Sequence, residues 1–375
     1  MHYLIHPHFE CLSMYRYIAL AWPNKKAEPA AYACRRQLMS KPSKWKIAFE
    51  GDGLVVLHSG DCPERHQAYP INLEPTGAGG VILGKLFSRR YIDNYQPGDH
   101  APEPLQLGGR ESRYIVDTQG RHLLQHYWGS YIAFILDPTT RTHFVLRDPS
   151  GARLCYFSQS SELTLYYSHP EDCTGLAGIG FSINWNYMAG YVRYHRVRSN
   201  QTGLREAVAL LPGECRIVAQ REPPRQLLYW DPVALSRCDL IETPELAAAE
   251  LRRITIGCVT AWASNYTNVL LQLSGGFDSA VVLGCLKYAE NRPHTTGLNH
   301  FMTYRDGDER ALARLTADAA GCELFENPLK VDTVDYATLT TIPNTAEPTD
   351  YGICSRLETE ARLSAATGAE VVFSG

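Results

Sequence analysis

The stretch LLQLSGGFDSAVVLGCL, residues 270–286, constrains the fold more than any other part of the chain. An apolar run ends at Ser274, two glycines and an acidic residue follow, and apolar character then resumes. This order predicts a buried strand over NVLLQLS, a tight glycine turn, and a helix over FDSAVVLGCLKYAE. A strand that leads through a tight turn into a helix is the repeating unit of open parallel sheets.

The same alternation continues downstream. LNHFMTYR predicts a second strand, DERALARLTADAAG a helix that ends at Gly321, and CELFENP a third strand. RLETEARLSAATG (356–368) predicts a further helix and AEVVFSG a last strand. Upstream, ETPELAAAELRR predicts a helix with Thr243 as N-cap and Pro244 at its first position. Together these segments predict a parallel sheet with helices on both faces over residues 240–375.

The chain before residue 235 has a different pattern. Short apolar runs separated by Gly-, Pro- and Asp-rich turns predict β-strands, and they recur at 131–137, 142–148, 154–160 and 163–169. Residues 59–112 are richer in Gly, Pro and charge, which favours long surface loops. We place the linker between two predicted domains at 232–243.

The composition excludes several classes of protein. The 375 residues carry a net charge of −4, so no basic field attracts nucleic acid or an anionic membrane. No apolar run is long enough to span a bilayer, and MHYLIHPHFE does not resemble a signal peptide. The eleven cysteines contain no C-x-x-C pair, which indicates reduced thiols and no disulfide frame or zinc site. We therefore expect a cytoplasmic protein with no nucleic-acid or membrane partner.

The turn between the strand and the helix carries the predicted chemistry. In an open parallel sheet, ligands bind beyond the carboxyl ends of the strands, where a helix N-terminus attracts phosphate oxygens. Gly275 and Gly276 would let the backbone approach those oxygens, and Ser274 and Ser279 would add hydroxyl donors. Asp278 would repel a bare phosphate, so it predicts a Mg²⁺ ion between them. The loop lacks G-x-x-x-x-G-K-[ST], which excludes a kinase-type P-loop, and the alternative is a tight turn whose glycines serve packing alone.

S-G-G-x-D-S after a strand resembles the pyrophosphate loop of enzymes that cleave ATP between the α and β phosphates, and within that group the chain resembles the asparagine synthetase class. DGDERALARLTADAAGC is similar to the acidic segment after the second strand of that class, and AEVVFSG to its strand that ends in Ser-Gly. GSYIAFILDPTTRTHFVLRDPSGARLCYF and TGLREAVALLPGECRIV resemble its glutaminase-type domain, so the match runs from about residue 128 onward. The resemblance implies an α+β glutaminase-like (Ntn-type) β-sandwich domain over 1–235. An α/β ATP pyrophosphatase (adenine nucleotide α-hydrolase-like) domain with a parallel sheet would follow over 240–375.

The N-terminus departs from this class. A glutaminase of this type needs Cys as its first residue after removal of Met, whereas His2 stands here and the nearest cysteine is Cys11. The sandwich domain is therefore expected to lack glutaminase activity, so that an amine other than ammonia attacks the activated carboxylate. β-Lactam synthetases and lasso peptide cyclases share this loss. VLRDPSGARLCYF, HPEDC (169–173) and INWNYMAGYV (183–192) resemble the lasso cyclases more closely.

The resemblance to lasso cyclases implies a function. Such an enzyme uses ATP to adenylate an Asp or Glu side chain of a precursor peptide, whose N-terminal amine then closes a macrolactam, with release of AMP and pyrophosphate. Asp278 is the implied catalytic and Mg²⁺-binding residue, within the implied nucleotide-binding loop Ser274–Ser279. The implied cofactors are ATP and Mg²⁺. The implied partners are the precursor peptide, a leader peptidase and a leader-binding protein.

The same resemblance extends the nucleotide site beyond the loop. The adenine is implied to lie against backbone near Leu273 and near Met302 or Thr303, with Ser374 and Gly375 flanking the nucleotide from the last strand. In the family, a second metal-binding Asp, further catalytic residues and a Lys follow the last Ser-Gly. We therefore expect the chain to be a fragment of a longer protein.

Two other pairs of polar residues have a simpler interpretation. Arg147 and Asp148 in LRDPSG are interpreted as structural, because such pairs commonly cap turns. His122 and His126 stand four residues apart, but with no third ligand nearby they are interpreted as part of a surface helix and not as a metal site.

Several functional alternatives stay open. A β-lactam synthetase, or an asparagine synthetase that uses ammonia or an amine, would act on a small substrate in place of a peptide. A degenerate synthetase would only bind peptide or nucleotide, although the intact S-G-G-F-D-S argues against a lost site. The tRNA-modifying relatives of the same loop would carry basic patches and paired cysteines, which this sequence lacks.

Overall fold

The computed structural model describes residues 15–22, 24–43, 45–59, 67–73, 77–160, 163–194, 199–220, 222–238, 240–302, 308–329, 345–348 and 351–375, the side chains of 78 and 351–355 excepted. In chain order the strands are β1 (Arg16–Ala21), β2 (Trp45–Gly51), β3 (Leu54–Ser59), β4 (Gln67–Leu73), β5 (Gly77–Ser88), β6 (Tyr127–Asp137), β7 (Thr142–Arg147), β8 (Tyr156–Gln159), β9 (Thr164–Tyr167), β10 (Val208–Ala209), β11 (Glu214–Val218), β12 (Arg225–Leu228), β13 (Asn268–Gln272), β14 (His294–Phe301), β15 (Glu323–Pro328) and β16 (Val371–Ser374). The helices are α1 (Glu28–Met39), α2 (Arg89–Asn94), α3 (Gly109–Asp117), α4 (Arg121–His126), α5 (Pro170–Cys173), α6 (Trp185–Tyr194), α7 (Pro232–Leu235), α8 (Pro244–Ala263), α9 (Phe277–Leu286), α10 (Arg310–Ala320) and α11 (Tyr351–Thr367).

The strands β1 to β12 form a sandwich of two antiparallel sheets. Their orders are β10-β8-β9-β1-β3-β2 and β12-β11-β7-β6-β5-β4. The two inner faces share one core, in which the rings of Tyr17 and Phe134 meet with centroids 5.6 Å apart. Helix α1 packs on the outer face of the first sheet, and α3 and α4 pack on the outer face of the second. The sandwich therefore has four layers, helix, sheet, sheet and helix, which bury both faces of each sheet.

The prediction of long surface loops over residues 59–112 is wrong for β4 and β5. Strand β5 lies inside the second sheet between β4 and β6, and Ile82 is fully buried. Gly80 has a φ of +131°, and a Cβ at this position would overlap the carbonyl oxygen of Phe134 on β6. The glycines that suggested loops instead permit close approach of neighbouring strands.

The strands β13 to β16 form a parallel sheet in the order β15-β14-β13-β16. Helices α8, α9 and α10 pack on one face of this sheet and α11 on the other. The predicted alternation of strands and helices is confirmed, and Gly321 ends α10 in the left-handed conformation, with its N–H bonded to the Asp318 carbonyl at 3.1 Å. Helix α11 begins at Tyr351 and not at residue 356.

The predicted linker is partly helical. Asp231 caps α7 by accepting hydrogen bonds from two backbone N–H groups at 2.9 and 3.2 Å, so residues 232–235 are helical. Thr243 occupies the predicted N-cap position of α8 with an extended backbone, and Pro244 begins the helix. The Thr243 side chain makes no capping bond within the described part of this region, so only its backbone acts as a cap.

The sandwich contacts the part of the chain that holds the parallel sheet at several places, among them an aromatic cluster and a backbone hydrogen bond. The Phe87 ring on β5 lies between Trp128 and Trp262 of α8, with centroid distances of 4.6 and 5.1 Å. The Gly203 N–H donates a hydrogen bond of 2.8 Å to the carbonyl of Ala346, which is buried in the core on the outer face of the first sheet. The sandwich thus holds the segment that leads into α11.

Among the described helices, none combines the length and the apolar character needed to cross a membrane. The cysteines whose side chains the structure describes are free thiols.

Candidate functional site

The glycine loop lies at the carboxyl edge of the parallel sheet, where the sequence predicts it. Strand β13 ends at Gln272, and α9 begins at Phe277 with Gly276 in the N-cap position. Ser274, Phe277 and Asp278 are exposed. The start of α9 is therefore an accessible helix N-terminus at a strand end, the position at which parallel sheets bind anions.

Both predicted hydroxyl donors help to close the loop on itself. Ser274 Oγ accepts a hydrogen bond of 3.2 Å from the Gly276 N–H and lies 3.2 Å from Ser279 Oγ. Ser279 Oγ in turn accepts a bond of 3.3 Å from the Ser274 N–H and lies 3.3 Å from the Gly276 carbonyl oxygen. Ser279 is buried and Ser274 is exposed. Ser279 therefore shapes the loop in this conformation, and Ser274 is the hydroxyl that a ligand can reach.

The two glycines of the loop are there for different reasons. Gly275 has a φ of +90°, and a Cβ at this position would lie 2.7 Å from the Glu309 carbonyl oxygen and 3.3 Å from the Ala313 nitrogen. The loop therefore touches the start of α10 at Gly275, and packing explains this glycine. Gly276 has an ordinary extended backbone, with φ of −76°, and a Cβ there would meet only Ser274 Oγ, at 3.2 Å. The space beside Gly276 is open to a ligand.

The two carboxylates near the loop differ in their partners. Asp308, at the start of α10, binds the Arg310 guanidinium at 2.8 and 2.6 Å. These hydrogen bonds lower the pKa of Asp308 to about 2. Asp278 stands in the first turn of α9 and makes no hydrogen bond or ion pair with any residue that the structure describes. Asp278 is therefore the carboxylate that remains available to a cation.

The last strand lies next to the loop. Strand β16 pairs in parallel with β13, so that Ser374 stands opposite Gln272. A Cβ on Gly375 would overlap the backbone nitrogen of Ser279 and the carbonyl carbon of Asp278. The structure thus brings Ser374 and Gly375 together with the start of α9.

The backbone near Leu273 is already engaged by the sheet. The Leu273 N–H donates to the Leu298 carbonyl at 2.9 Å, and its carbonyl accepts a bond of 2.7 Å from the Asn299 side-chain amide. Leu273 is fully buried, so its N–H is not free to contact an adenine. Met302 follows β14 and is half-buried, and Thr303 lies outside the described residues.

A buried polar cluster lies beneath the loop and was not predicted from the sequence. Glu360 of α11, only 1% exposed, accepts a hydrogen bond from the Gln272 side-chain amide, and its Oε1 lies 3.7 Å from His300 Nε2. His300 Nδ1 lies 3.2 Å from Asn327 Nδ2. Gln272, His300 and Asn327 stand at the carboxyl ends of three adjacent strands. One feature of the sequence could have indicated this cluster. Glu360 stands three residues after Leu357, on the face of α11 whose other residues are apolar, and a carboxylate on such a face needs a buried polar partner.

A cavity of about 450 Å³ adjoins this cluster, between β15 and α11. Asn327, Phe325 and Leu298 line it from the sheet, and Thr359 and Arg362 line it from the helix. Its volume suits a small organic ligand. Since it lies on the α11 face, it borders the polar cluster through Asn327 and is separated from α9 by the sheet.

The structural interpretation of Arg147 and Asp148 is confirmed. Arg147 donates hydrogen bonds of 2.6 and 2.7 Å to the carbonyls of Leu210 and Gly151. Asp148 accepts a bond of 3.1 Å from the Tyr131 N–H, and its burial raises its pKa. Both side chains thus stabilise turns of the sandwich through hydrogen bonds to the backbone.

His122 and His126 lie on α4 with ring centroids 4.3 Å apart. His122 Nε2 lies 2.6 Å from a carboxylate oxygen of Glu111, and this hydrogen bond lowers the pKa of Glu111. Within the described ranges, no cluster of three or more His, Cys, Asp or Glu side chains is arranged to hold a metal ion.

Comparisons with known proteins give distant similarities. No protein-family model and no curated protein matches the chain. Among solved structures, the glutamine-dependent NAD+ synthetase from Acinetobacter baumannii in complex with ADP shares 19% identity with a TM-score of 0.24, over 44% of this chain and 31% of that one. The glutamine phosphoribosylpyrophosphate amidotransferase from B. subtilis complexed with ADP and GMP shares 11% identity with a TM-score of 0.32, over 86% of this chain and 68% of that one. The allosteric regulatory enzyme of purine biosynthesis shares 12% identity with a TM-score of 0.33, over 96% of this chain and 89% of that one.

The chain spans 31% of the length of the NAD+ synthetase. TM-scores between 0.24 and 0.33 do not establish a common fold.

Proposed function

We propose that the chain is an ATP-dependent, AMP-forming amide ligase, and specifically a lasso peptide cyclase. The observation that carries the proposal is the loop 274–279, which combines an accessible helix N-terminus with the unpaired carboxylate of Asp278. This combination suits a pyrophosphate group that is bound together with a divalent cation. The resemblance of the sequence to lasso cyclases supports a peptide as the substrate.

We also propose that the chain consists of two domains, 1–235 and 240–375. The four layers of helix, sheet, sheet and helix support a glutaminase-like (Ntn-type) first domain. The parallel sheet with the glycine loop at its carboxyl edge supports a second domain of the ATP pyrophosphatase type. The proposed location is the cytoplasm, and the proposed partners besides the precursor peptide are a leader peptidase and a leader-binding protein.

A Mg²⁺ ion fits the residues at the loop. Mg²⁺ commonly binds through one or two carboxylates, substrate phosphates and water, so a single exposed carboxylate suffices from the protein. Asp278 would hold the ion, which when bound neutralises negative charge on phosphate oxygens.

The proposed reaction has two steps. A side-chain carboxylate oxygen of the peptide attacks the α-phosphorus of ATP, the bond from that phosphorus to the bridging oxygen breaks, and pyrophosphate leaves toward the loop. The N-terminal amine of the same peptide then attacks the acyl carbon, the bond to AMP breaks, and the amine loses its proton to solvent. Because both reacting ends belong to one bound peptide, the second step is intramolecular and gains from proximity.

The test is mass spectrometry on the full-length protein with ATP, Mg²⁺, the leader peptidase and a precursor peptide encoded beside the gene. The core peptide should carry an Asp or Glu several residues from its free N-terminus. We expect a peptide lighter by one water and an equal amount of AMP. Asp278→Asn should lower both products by about 100-fold or more, because it removes one electrostatic contact to the transition state. Asp318→Asn, which changes an exposed acid in the last turn of α10, is the matched control and should leave both products unchanged.

Three other results would each support a different function. AMP without a dehydrated peptide would keep the adenylation step and overturn ring closure. Turnover of a small amino acid derivative in the absence of peptide would favour a β-lactam synthetase. If neither product forms although ATP binds, the chain is a nucleotide-binding relic without catalytic activity.

A further inference from the structure

We propose that the cavity between β15 and α11 is a second ligand site, which takes a free amino acid with an apolar side chain. The comparisons and the motif resemblance assign no ligand to this cavity. It lies on the α11 face of the parallel sheet, whereas the glycine loop leads into α9 on the opposite face. The site is therefore distinct from the position at which the loop would bind phosphate.

The cavity has two facing walls. The residues that line it from β15 alternate along the strand and share its α11 face, while the residues between them contact α10: Glu323, Phe325 and Asn327. The residues that line it from α11 are spaced three or four positions apart and share one face of the helix: Thr359, Arg362, Leu363 and Ala366. A ligand of the size that the cavity admits, about 450 Å³, would contact both walls.

The middle of the cavity is apolar. Leu298 of β14 and Leu363 belong to the buried cluster between the sheet and α11. Phe325 is 39% exposed, because β15 is the outermost strand in the order β15-β14-β13-β16. An apolar side chain in the cavity would cover Phe325, and burial of apolar surface is favourable by about 25 cal/mol per Å².

Two opposite charges that line the cavity have no partner among the described residues. The Arg362 side chain is exposed and makes no hydrogen bond or ion pair there, with Glu358 one turn before it included. The Glu323 carboxylate is exposed and is likewise unpaired within that part of the chain. The other carboxylate of the lining, Glu326, is neutralised by Arg314, which it binds at 2.6 and 2.7 Å. One cation and one anion therefore remain available to a ligand.

These charges select the class of ligand. A simple carboxylate would pair with Arg362 and leave Glu323 without a partner, and a simple amine would do the reverse. A free amino acid carries both groups, so that its carboxylate can accept from the Arg362 guanidinium and its ammonium can donate to Glu323. Its side chain then enters the apolar middle of the cavity, beside Phe325. Pockets of roughly 300–1,000 Å³ commonly hold small molecules of this kind through a few polar contacts and apolar walls.

The polar end of the cavity leads toward the strand that enters the glycine loop. Asn327 Nδ2 lies 3.2 Å from His300 Nδ1, and His300 Nε2 lies 3.7 Å from Glu360 Oε1. Glu360 in turn accepts a hydrogen bond from Gln272, the last residue of β13. Strands β15 and β13 are two positions apart in the sheet, a distance of about 10 Å. Contiguous contacts of this kind can carry coupling between sites, so the amino acid would change the affinity for ATP, a step that rests on the proposed function.

Isothermal titration of the full-length protein without ATP tests the site separately from catalysis. The probes are phenylalanine and leucine, with two analogues that each lack one charge: 3-phenylpropionate has no ammonium group and phenethylamine has no carboxylate. We expect each analogue to bind at least about tenfold more weakly than phenylalanine, because each loses a charge-assisted hydrogen bond. Arg362→Gln should weaken phenylalanine by a similar factor and remove its advantage over phenethylamine, since the two differ in the group that contacts Arg362. Arg356→Gln, which changes an exposed arginine of α11 outside the cavity, is the matched control and should leave the dissociation constants unchanged.

A second variant tests the other charge. Glu323→Gln should weaken phenylalanine and leave 3-phenylpropionate unchanged, with Asp318→Asn on α10 as its control. Thermal melts of each variant exclude unfolding as the cause. If neither phenylalanine nor leucine binds, or if both bind all variants alike, the inference is wrong. If 3-phenylpropionate binds as tightly as phenylalanine and Glu323→Gln has no effect, the assignment to an amino acid is wrong.

Titration of ATP with Mg²⁺, with and without saturating phenylalanine, measures the coupling. We expect the dissociation constant for ATP to change by about fivefold or more, and that for phenylalanine to change by the same factor when ATP is bound. An unchanged affinity for ATP would overturn the coupling. Binding of phenylalanine at Arg362 and Glu323 in a protein that binds no ATP would support the cavity as a ligand site and refute the proposed ligase.

Discussion

Replacing Gly275 with alanine would place a methyl group at the point where the glycine loop touches helix α10. The backbone there has a φ of +90°, which L-residues with a side chain rarely adopt. The new Cβ would also lie 2.7 Å from the Glu309 carbonyl oxygen and 3.0 Å from Glu309 Cβ. Two of these obstacles involve backbone that cannot rotate away, so the loop or the start of α10 must move.

The expected loss of stability can be estimated from these two contributions. A left-handed backbone costs an alanine about 1–2 kcal/mol. Overpacking costs about 1–3 kcal/mol. Alanine also lowers the backbone entropy of the unfolded chain, which offsets the loss of stability by about 0.4–1 kcal/mol. The net loss for Gly275→Ala is about 3 kcal/mol, equivalent to a fall in melting temperature of roughly 4 °C when the 375 residues unfold together.

The neighbouring residue provides the control. Gly276→Ala introduces no unfavourable φ, and its methyl group would meet only Ser274 Oγ at 3.2 Å. We expect its melting temperature to stay within about 2 °C of the parent, because surface substitutions usually change stability by less than 0.5 kcal/mol. Its methyl group would instead stand in the open space beside the helix N-terminus, so the affinity for ATP with Mg²⁺ should fall.

Thermal melts and isothermal titration with ATP and Mg²⁺ measure the two effects independently. We expect Gly275→Ala to lower stability and Gly276→Ala to lower nucleotide affinity. A Gly275→Ala protein that melts with the parent would refute the packing argument. A Gly276→Ala protein that binds ATP normally would refute the assignment of the open side of the loop to the ligand.

Two further predictions concern buried groups. Burial lowers the pKa of both His143 and His169 to about 4. Between pH 6.5 and about 4 the unfolded chain binds the protons first, so stability falls as the pH falls, by about 1.4 kcal/mol per pH unit for each histidine. Urea unfolding at several pH values in this window gives the free energy of unfolding as a function of pH. The slope of that dependence should be shallower by about this amount in His143→Gln. An unchanged slope would contradict the lowered pKa of His143. Glu360→Ala should cost about 1–3 kcal/mol, because it leaves the Gln272 amide without its acceptor. Glu360→Gln keeps an acceptor oxygen and should cost less in the same assay, so equal losses would rule out the hydrogen bond as the cause.

The parallel sheet was predictable because its segments repeat one local pattern. Apolar strands of about five residues, helical periodicity and a glycine at the end of a helix are all local signals. Gly321 and the strand before Ser374 are examples, and the structure has both where the sequence predicts them. The start of α11 was placed too late: the helix begins at Tyr351, and Ile353 and Cys354, four and three residues before Leu357, already continue its apolar period.

The sandwich was less predictable, since the same residue types serve opposite purposes in it. The glycines of β5 are typical of loops, yet at Gly80 the missing side chain lets β6 approach. A strand pairing partner is not encoded in the strand itself. Local propensity therefore gave the wrong result for β4 and β5, where tertiary pairing decided the conformation.

In the candidate site, the loop was predictable and its surroundings were not. The position of Ser274–Ser279 follows from the strand and helix that flank it. The contact of Glu360 with Gln272 joins residues 88 positions apart, and no local pattern predicts it. The same holds for Gly275 and Glu309, whose contact shows that one of the two glycines serves the neighbouring helix.

The insertion of Ala346 into the core of the sandwich fixes the segment before α11 relative to the sandwich. A packed core resists small displacements and yields only by changing to another discrete arrangement. Helix α11 is anchored at its entrance by Ala346 and along its length by Glu360, whose partner Gln272 stands just before the loop. A displacement of Gln272 would therefore be passed to α11 and, through Ala346, to the sandwich. Through these contacts the packed core of the sandwich would help to hold the loop in position, although the two lie in different parts of the chain.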